Sequence, residues 1–304
     1  MGTEGIHDRY INPYTDFGFK KLFGTDMNKE LLISFLNALL AGREVVNDVT
    51  YMNSEHLGTL ELDRRAVFDV YCENDKGEKF LVEMQKGEQE FFKDRSLFYS
   101  TFPIREQACR GNWNYELKAV YTIGILNFVF QEQDNSCFHH EVKLVDLRTR
   151  EVFYDKLTFI YLEMPKFNKG EGELETMFDK WLFVLRNLSS LLERPQALQE
   201  RVFTRLFEAA EIARFDKNEL CQYEESLKNF RDMYSVIVTA EKKGRREGLE
   251  EGLAQGLAQG LEKGLAQGRE EERLSAARKM KSKGIDDVVI SEVTGLTFEE
   301  ISVL

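Results

Sequence analysis

The sequence predicts an α/β fold over residues 10–165, with a mixed central sheet flanked by helices, followed by an all-helical C-terminal region. Three observations support this prediction. Residues 67–85 have the pattern of a β-hairpin, and the nearly continuous apolar run 119–126 indicates a buried central strand. From Leu174 onward, apolar residues recur at helical spacing. Strands mixed with helices on a single sheet are typical of a layered α/β or α+β domain.

The predicted hairpin consists of strands 67–72 and 79–85 around a turn rich in Asn, Asp and Gly. Strand alternation predicts one apolar face and one face that carries acidic side chains. A three-residue loop would place Asp69 directly across from Glu83, with their Cβ atoms about 5 Å apart. Gln85 follows on the same face as Glu83. The apolar face is predicted to comprise Phe68, Val70, Cys72, Phe80, Val82 and Met84.

Two carboxylates at this distance repel each other unless a cation or a proton lies between them. A ligand set made only of oxygen atoms favours a hard ion such as Mg²⁺ or Mn²⁺. The alternative is that Asp69 and Glu83 belong to the solvated face of an antiparallel hairpin. The hairpin by itself leaves both interpretations open.

Composition limits the function. The chain has 304 residues, 42% of them hydrophobic, which is enough for a full core and more than one domain. Its net charge of -12 and pI of about 5.1 exclude binding of nucleic acid through global charge, so DNA contacts would need local basic patches. The four cysteines lack CxxC spacing and suggest reduced thiols in a cytoplasmic protein without a zinc site. The sequence contains no apolar run of about 20 residues, so we do not expect membrane insertion.

Helices are predicted before and after the hairpin in the sequence. One of them runs from Phe91 to about Gly111, with a kink or break at Pro103. On it, Arg95 and Tyr99 lie one turn apart. They either reach the acidic face of the sheet or serve as a surface ion pair and a core residue. The other predicted elements are helices 15–24 and 29–40, strands 138–147, 152–154 and 157–162, and helices 174–192, 196–215 and 218–241.

The C-terminal part is predicted to comprise a helical region, 170–242, a glycine repeat, 243–270, and a small helix-turn-helix-like tip, 271–304. In the repeat, glycine recurs every four residues from Gly244 to Gly268, and each glycine in a helix costs about 1 kcal/mol. Either this segment is a long helix that self-associates with a right-handed crossing, or it is a flexible spacer. Basic residues within 273–283 could contact DNA, although helix packing or an oligomer contact is the alternative.

Several motifs together resemble the PD-(D/E)XK nuclease family transposases, which belong with the recombination-promoting nuclease proteins of bacteria. The resemblance implies a restriction-endonuclease-like fold and Mg²⁺-dependent (or Mn²⁺-dependent) endonucleolytic cleavage of DNA. It also implies a link to mobile elements, recombination or phage defence. We further expect a homo-oligomer formed through the C-terminal helices and the glycine repeat. The motifs are DFGFKKLFG at 16–24, VFDVYCEN at 67–74, FLVEMQK at 80–86, FFKDRSLFYSTFPI at 91–104 and VYTIGILNF at 120–128.

The resemblance also assigns roles to residues. Asp69 and Glu83 would ligate the metal, and the Met84 backbone carbonyl would complete the shell. Gln85 occupies the place of the usual lysine and can orient water by hydrogen bonds without supplying positive charge. This departure leaves open a catalytically weak or inactive DNA-binding or assembly protein that retains the fold. The candidates for contacting substrate or phosphate are Asp16, Lys20, Lys86, Arg95 and Tyr99.

Overall fold

The computed structural model describes residues 8–53, 55–56, 66–108, 113–130 and 137–304. Its contacts divide the chain into two compact units, residues 1–235 and 236–304. Cys109 and the end of the predicted 91–111 helix lie outside the described residues. The strands are β1 (Val49–Tyr51), β2 (Glu55–His56), β3 (Ala66–Val67), β4 (Val70–Asn74), β5 (Lys79–Gln85), β6 (Val120–Leu126), β7 (His139–Val145) and β8 (Val152–Glu163). The α-helices are α1 (Asp16–Phe23), α2 (Lys29–Leu39), α3 (Phe92–Glu106), α4 (Met177–Asn187), α5 (Arg201–Ala210), α6 (Lys217–Ser282), α7 (Asp287–Thr294) and α8 (Phe298–Ser302).

The first unit is built on a six-stranded mixed sheet with the order β1-β4-β5-β6-β8-β7. The three neighbouring strands β5, β6 and β8 run parallel, and the remaining pairs are antiparallel. A separate two-stranded pair joins β2 to β3. The predicted mixed sheet with flanking helices is therefore confirmed. Because α3 connects the parallel strands β5 and β6, it lies directly over the hairpin that carries the acidic residues.

The two faces of the sheet bury different sets of residues. Val82 and Met84 of β5 face the main core, which also contains Leu22 of α1, Trp181 of α4 and Phe203 of α5. The opposite face is covered by α3, in two smaller apolar clusters. Alternation along β5 thus directs Glu83 and Gln85 towards α3, in keeping with the expected period of two.

The structure corrects four details of the prediction. Phe68 lies under α3 with Tyr71 and Leu81, not on the main core face, because β4 begins only at Val70 and regular alternation stops before it. The strand predicted in two pieces, 152–154 and 157–162, is the single strand β8.

The other two details concern helices. Pro103 neither ends nor breaks α3, since it lies in the last turn of a helix that continues to Glu106. The helices predicted over 174–192 and 196–215 are shorter, and form α4 and α5.

Gly18 is required for the close approach of α1 to the preceding loop. The Thr15 hydroxyl caps α1 by accepting a hydrogen bond from the Gly18 N–H at 3.0 Å. A Cβ at position 18 would lie 2.2 Å from the Asn12 carbonyl oxygen, which is a backbone atom and cannot rotate away.

We therefore expect Gly18→Ala to lower the free energy of unfolding by about 1–3 kcal/mol. Chemical denaturation would measure the change. Gly172→Ala is the matched control, because nothing lies within 4 Å of its added Cβ. Equal stability of the two variants would contradict the expectation.

The second unit consists of the C-terminal part of α6 followed by α7 and α8. Residues 244–268 are helical throughout. The small tip has its own core of Ala277, Ile290, Leu296 and Ile301. Two of the basic residues for which DNA contact and helix packing were both open bind carbonyls within the tip. Arg273 donates to the carbonyls of Thr294 and Gly295, both at 2.7 Å, and Lys281 donates to that of Ile301 at 2.5 Å. Of the helices in the described ranges, none combines the length and apolar character that a membrane span requires.

Candidate active site

The hairpin has the register that the sequence predicts. Val70 pairs with Val82 and Glu73 with Lys79, so the next step of the ladder sets Asp69 against Glu83. The loop is three residues long, because the Asn74 N–H donates to the Glu78 carbonyl at 3.0 Å. Its last residue, Gly77, has a φ of +80°, which glycine adopts without strain. A local turn thus positions the two carboxylates.

Asp69 takes part in the sheet through its side chain. It lies in the short break between β3 and β4, and its Oδ2 accepts a hydrogen bond from the Met84 N–H at 2.8 Å. Burial raises the pKa of Asp69, and the nearby Asp16 raises it further, whereas the Met84 N–H, Lys20 and Lys86 oppose the rise. The carboxylate is therefore held firmly at the end of β5 in an environment that disfavours its charge.

Glu83 shows the larger effect. Burial, followed by repulsion from Asp69, raises its pKa from 4.5 to about 7. The cation that opposes this rise is Arg95, whose Nη2 lies 3.8 Å from the Glu83 Oε2. Both carboxylates have raised pKa values, so the positive charge near them does not offset the effects of burial and mutual repulsion.

Arg95 extends from α3 towards the acidic face. Its guanidinium donates to the side-chain oxygens of Gln85 and Gln89, while its Nε is buried without a hydrogen-bond partner. The guanidinium carbon lies 5.8 Å from the ring centre of Phe92 and 5.6 Å from that of Tyr99. Of the two alternatives left open for Arg95 and Tyr99, the structure has both facing the carboxylates.

Two neighbouring cavities meet at Asp69. The smaller cavity, of about 200 Å³, is also lined by Glu83, Gln85, Lys86, Arg95 and Tyr99. Most of the predicted site residues therefore surround one cavity. The larger, of about 680 Å³, is lined by Asp16 and Lys20 of α1 and by residues of α6. Lys86 lies between the two groups and donates to Asp16 Oδ1 at 2.6 Å. Asp69 is thus the residue that both cavities share.

Comparisons with known proteins identify the family of this chain. A family model described as PD-(D/E)XK nuclease family transposase matches residues 13–240, which is well over half of the chain. The chain belongs to this family. Neither a curated protein nor a solved structure gives a significant match.

PD-(D/E)XK nucleases generally use divalent metal ions, and the donors in this family member fit such an ion. Asp69 and Glu83 offer hard oxygen ligands, and a cation would offset the repulsion that raises both of their pKa values. Within the described ranges, no group of three or more His, Cys, Asp or Glu side chains could hold a metal.

Some residues of this candidate site were not identified from the sequence. Gln89 and Phe92 fix the position of Arg95, and Met233 of α6 lines the smaller cavity. Gly124 of β6 lies beside Glu83, and a Cβ there would meet Tyr161 at 3.0 Å. The spacing of Phe92 and Arg95 on α3 is a signal that could have been noticed. Met233 has none, because it lies 150 residues beyond Glu83 in the printed sequence.

Proposed function

We propose that the protein is a metal-dependent DNA endonuclease that hydrolyses phosphodiester bonds. The observation that supports this function best is the Asp69–Glu83 pair, two partly buried carboxylates with raised pKa values on the face that Arg95 approaches. A solvated hairpin face would show neither this burial nor the convergence of Gln85, Arg95 and Tyr99 on one cavity. We expect action linked to mobile elements, recombination or phage defence, in the cytoplasm.

Asp69 and Glu83 are the proposed ligands of Mg²⁺ or Mn²⁺, together with the Met84 carbonyl. When bound, the ion would lower the pKa of a water molecule and offset charge on the phosphate. The Met84 N–H holds Asp69 in place, and the hairpin register holds Glu83 opposite. Both ligands are thus anchored by backbone before any substrate arrives.

Gln85 is the proposed water-orienting residue. Its side-chain Nε2 donates to the Gly87 carbonyl at 3.3 Å, which fixes the amide, and its Oε1 accepts from Arg95. An amide oxygen has two lone pairs, so one is left to accept a hydrogen from the attacking water.

Arg95 is the proposed source of the positive charge that the lysine of the PD-(D/E)XK motif would provide. It is the cation nearest Glu83 among the described ion pairs, and its guanidinium is oriented by Gln85 and by two aromatic rings. A preorganised cation at this position would stabilise charge that develops on the phosphate. Tyr99 supports it through its ring face.

Asp16, Lys20 and Lys86 are proposed to act on the substrate side. Lys20 lines the larger cavity, which Asp69 joins to the smaller one. A lysine here could contact a backbone phosphate next to the scissile one. Asp16 holds Lys86 close to the carboxylates through the 2.6 Å ion pair.

The test is cleavage of supercoiled plasmid by the purified chain in Mg²⁺, Mn²⁺ or EDTA. We expect cleavage only with a divalent ion, and loss of it in Asp69→Asn. Glu90→Gln, an exposed carboxylate in the loop before α3, should cut like the wild type. Cleavage in EDTA, or by Asp69→Asn at the wild-type rate, would overturn the proposed site. DNA binding without cleavage under any metal would instead favour the binding or assembly protein.

A further inference from the structure

The helical glycine repeat exposes an unusual amount of apolar surface. Its five leucines, which follow glycines at four-residue intervals, are 54–73% exposed. None of the seven glycines has an atom within 4 Å of an added Cβ apart from the helix's own nearby backbone, so each leaves a hole in the helix surface. Glycine also disfavours the helix relative to alanine. A partner that fills the holes and covers the leucines would explain both features.

The four-residue period is longer than a helical turn, so the pattern drifts. Each repeat rotates by about 40° around the helix. Along one straight face, leucine therefore gives way to glycine near the middle of the segment. At about 100° per residue, the following positions fall within an arc of about 100°: Lys242, Arg246, Leu249, Leu253, Gly256, Leu257, Gly260, Gly264, Gln267 and Glu271.

This face has two unlike halves. Its N-terminal half presents basic residues and then leucine knobs, and its C-terminal half presents glycine holes and then an acidic residue. Lys242 and Glu271, at its ends, are both exposed. A face of this kind is complementary to itself only when one copy is reversed.

We propose that a second copy of this chain packs antiparallel on this face, with Leu257 of each copy against Gly256 of the other. Every central layer then contains one leucine and one glycine, so two straight helices keep a constant separation. Each Lys242 meets Glu271 of the partner copy, and this pair occurs twice, as two-fold symmetry requires. The remaining layers are Leu253 with Gly260 of the partner copy and Leu249 with Gly264 of the partner copy.

A parallel arrangement does not satisfy the same face. Leu249 would meet its own counterpart at one end, and Gly264 its own counterpart at the other. The helices would then have to be far apart at one end and close at the other. Lys242 would also face a second Lys242, which is unfavourable. Packing and charge thus select the same orientation.

Substitutions on and off the face test the packing. We expect sedimentation of the wild type to give twice the 35.4 kDa chain mass. Gly260→Leu would set leucine against leucine in two layers and raise the dimer dissociation constant by about a hundredfold or more. Gly244→Leu, the matched control, lies on the opposite side of the helix and should leave it unchanged. A monomeric wild type, or equal effects of the two variants, would overturn the proposal.

Charge reversal tests the orientation. K242E and E271K should each raise the dissociation constant by roughly tenfold, and the double variant K242E/E271K should restore the wild-type value. In a parallel pair the two positions would not meet, so no restoration would follow. Failure of the double variant to recover association would therefore contradict the antiparallel pairing.

Cysteine cross-linking gives a direct readout that does not depend on nuclease activity. The background is a chain with Cys109, Cys137 and Cys221 changed to serine. K242C and E271C, mixed and oxidised, should form a disulfide-linked dimer, whereas each variant alone should not. Cross-linking of K242C with itself would indicate a parallel pair, and no cross-link in the mixture would rule out the proposed register.

Discussion

Replacing Glu83 by glutamine is expected to abolish cleavage and at the same time to stabilise the metal-free protein at pH 8. The loss of activity, by at least about a thousandfold, follows from removal of a proposed metal ligand. The gain in stability follows from burial, which raises the pKa of Glu83 to about 7. A partly buried carboxylate that must ionise beside a second carboxylate destabilises the fold, and a neutral amide of the same shape does not.

Because the pKa of Glu83 is higher in the folded state, its contribution to stability is fully present below pH 4.5 and is lost as the pH rises through about 7. A change from 4.5 to about 7 corresponds to up to about 3 kcal/mol at pH 8. We therefore expect Glu83→Gln in EDTA to exceed the wild type in unfolding free energy by about 1–3 kcal/mol at pH 8 and to match it near pH 4.5.

Denaturation in EDTA at several pH values would measure this difference. Glu90→Gln serves as the control, because its carboxylate is exposed. Addition of Mg²⁺ should stabilise the wild type at pH 8 and leave Glu83→Gln unaffected. If Glu83→Gln were less stable than the wild type at pH 8 in EDTA, the carboxylate would not be the strained group that we infer.

Arg95→Ala is expected to lower kcat by about 10²–10³-fold, the effect of removing one preorganised group that stabilises transition-state charge. The sharper test is the double variant Arg95→Ala with Gln85→Lys. It places at position 85 the lysine that the PD-(D/E)XK motif has there, and we expect it to recover a substantial part of the lost rate. Recovery would show that Gln85 and Arg95 together replace that lysine.

Lys93→Ala is the matched control for Arg95→Ala. Lys93 is an exposed cation on the same helix, and its ammonium lies 5.1 Å from the ring centre of Phe130, away from the carboxylates. It should retain the wild-type kcat. Wild-type activity in Arg95→Ala would remove Arg95 from the mechanism, and Lys86 would become the next candidate for the positive charge.

Much of the fold could be predicted because its signals are local. The hairpin has a turn with Gly77 at its end and alternating side chains on both strands, and these features determine a register. Helix α1 follows from its Thr15 cap and its apolar spacing, and helix α2 follows from apolar spacing. The face on which Phe68 lies was predicted wrongly, because a local pattern does not show where a strand is interrupted. The break between β3 and β4 interrupts the alternation of side chains, and no residue in the sequence pattern marks it.

The site was only partly predictable. Asp69, Glu83 and Gln85 follow from the hairpin and from the family motif. The position of Arg95 was open between two alternatives, because its helix could have faced the sheet in more than one way. Gln89 and Met233 were missed, since their contact with the site depends on how a loop and α6 return to it.

The sequence by itself therefore determined that Asp69 and Glu83 face each other, because strand pairing around a short turn depends on residues a few positions apart. Only the tertiary structure decided that they are partly buried, that Arg95 reaches them and that the pKa of Glu83 rises to about 7. Desolvation depends on every segment that excludes water from a site, and here those segments include α3 and the part of α6 around Met233.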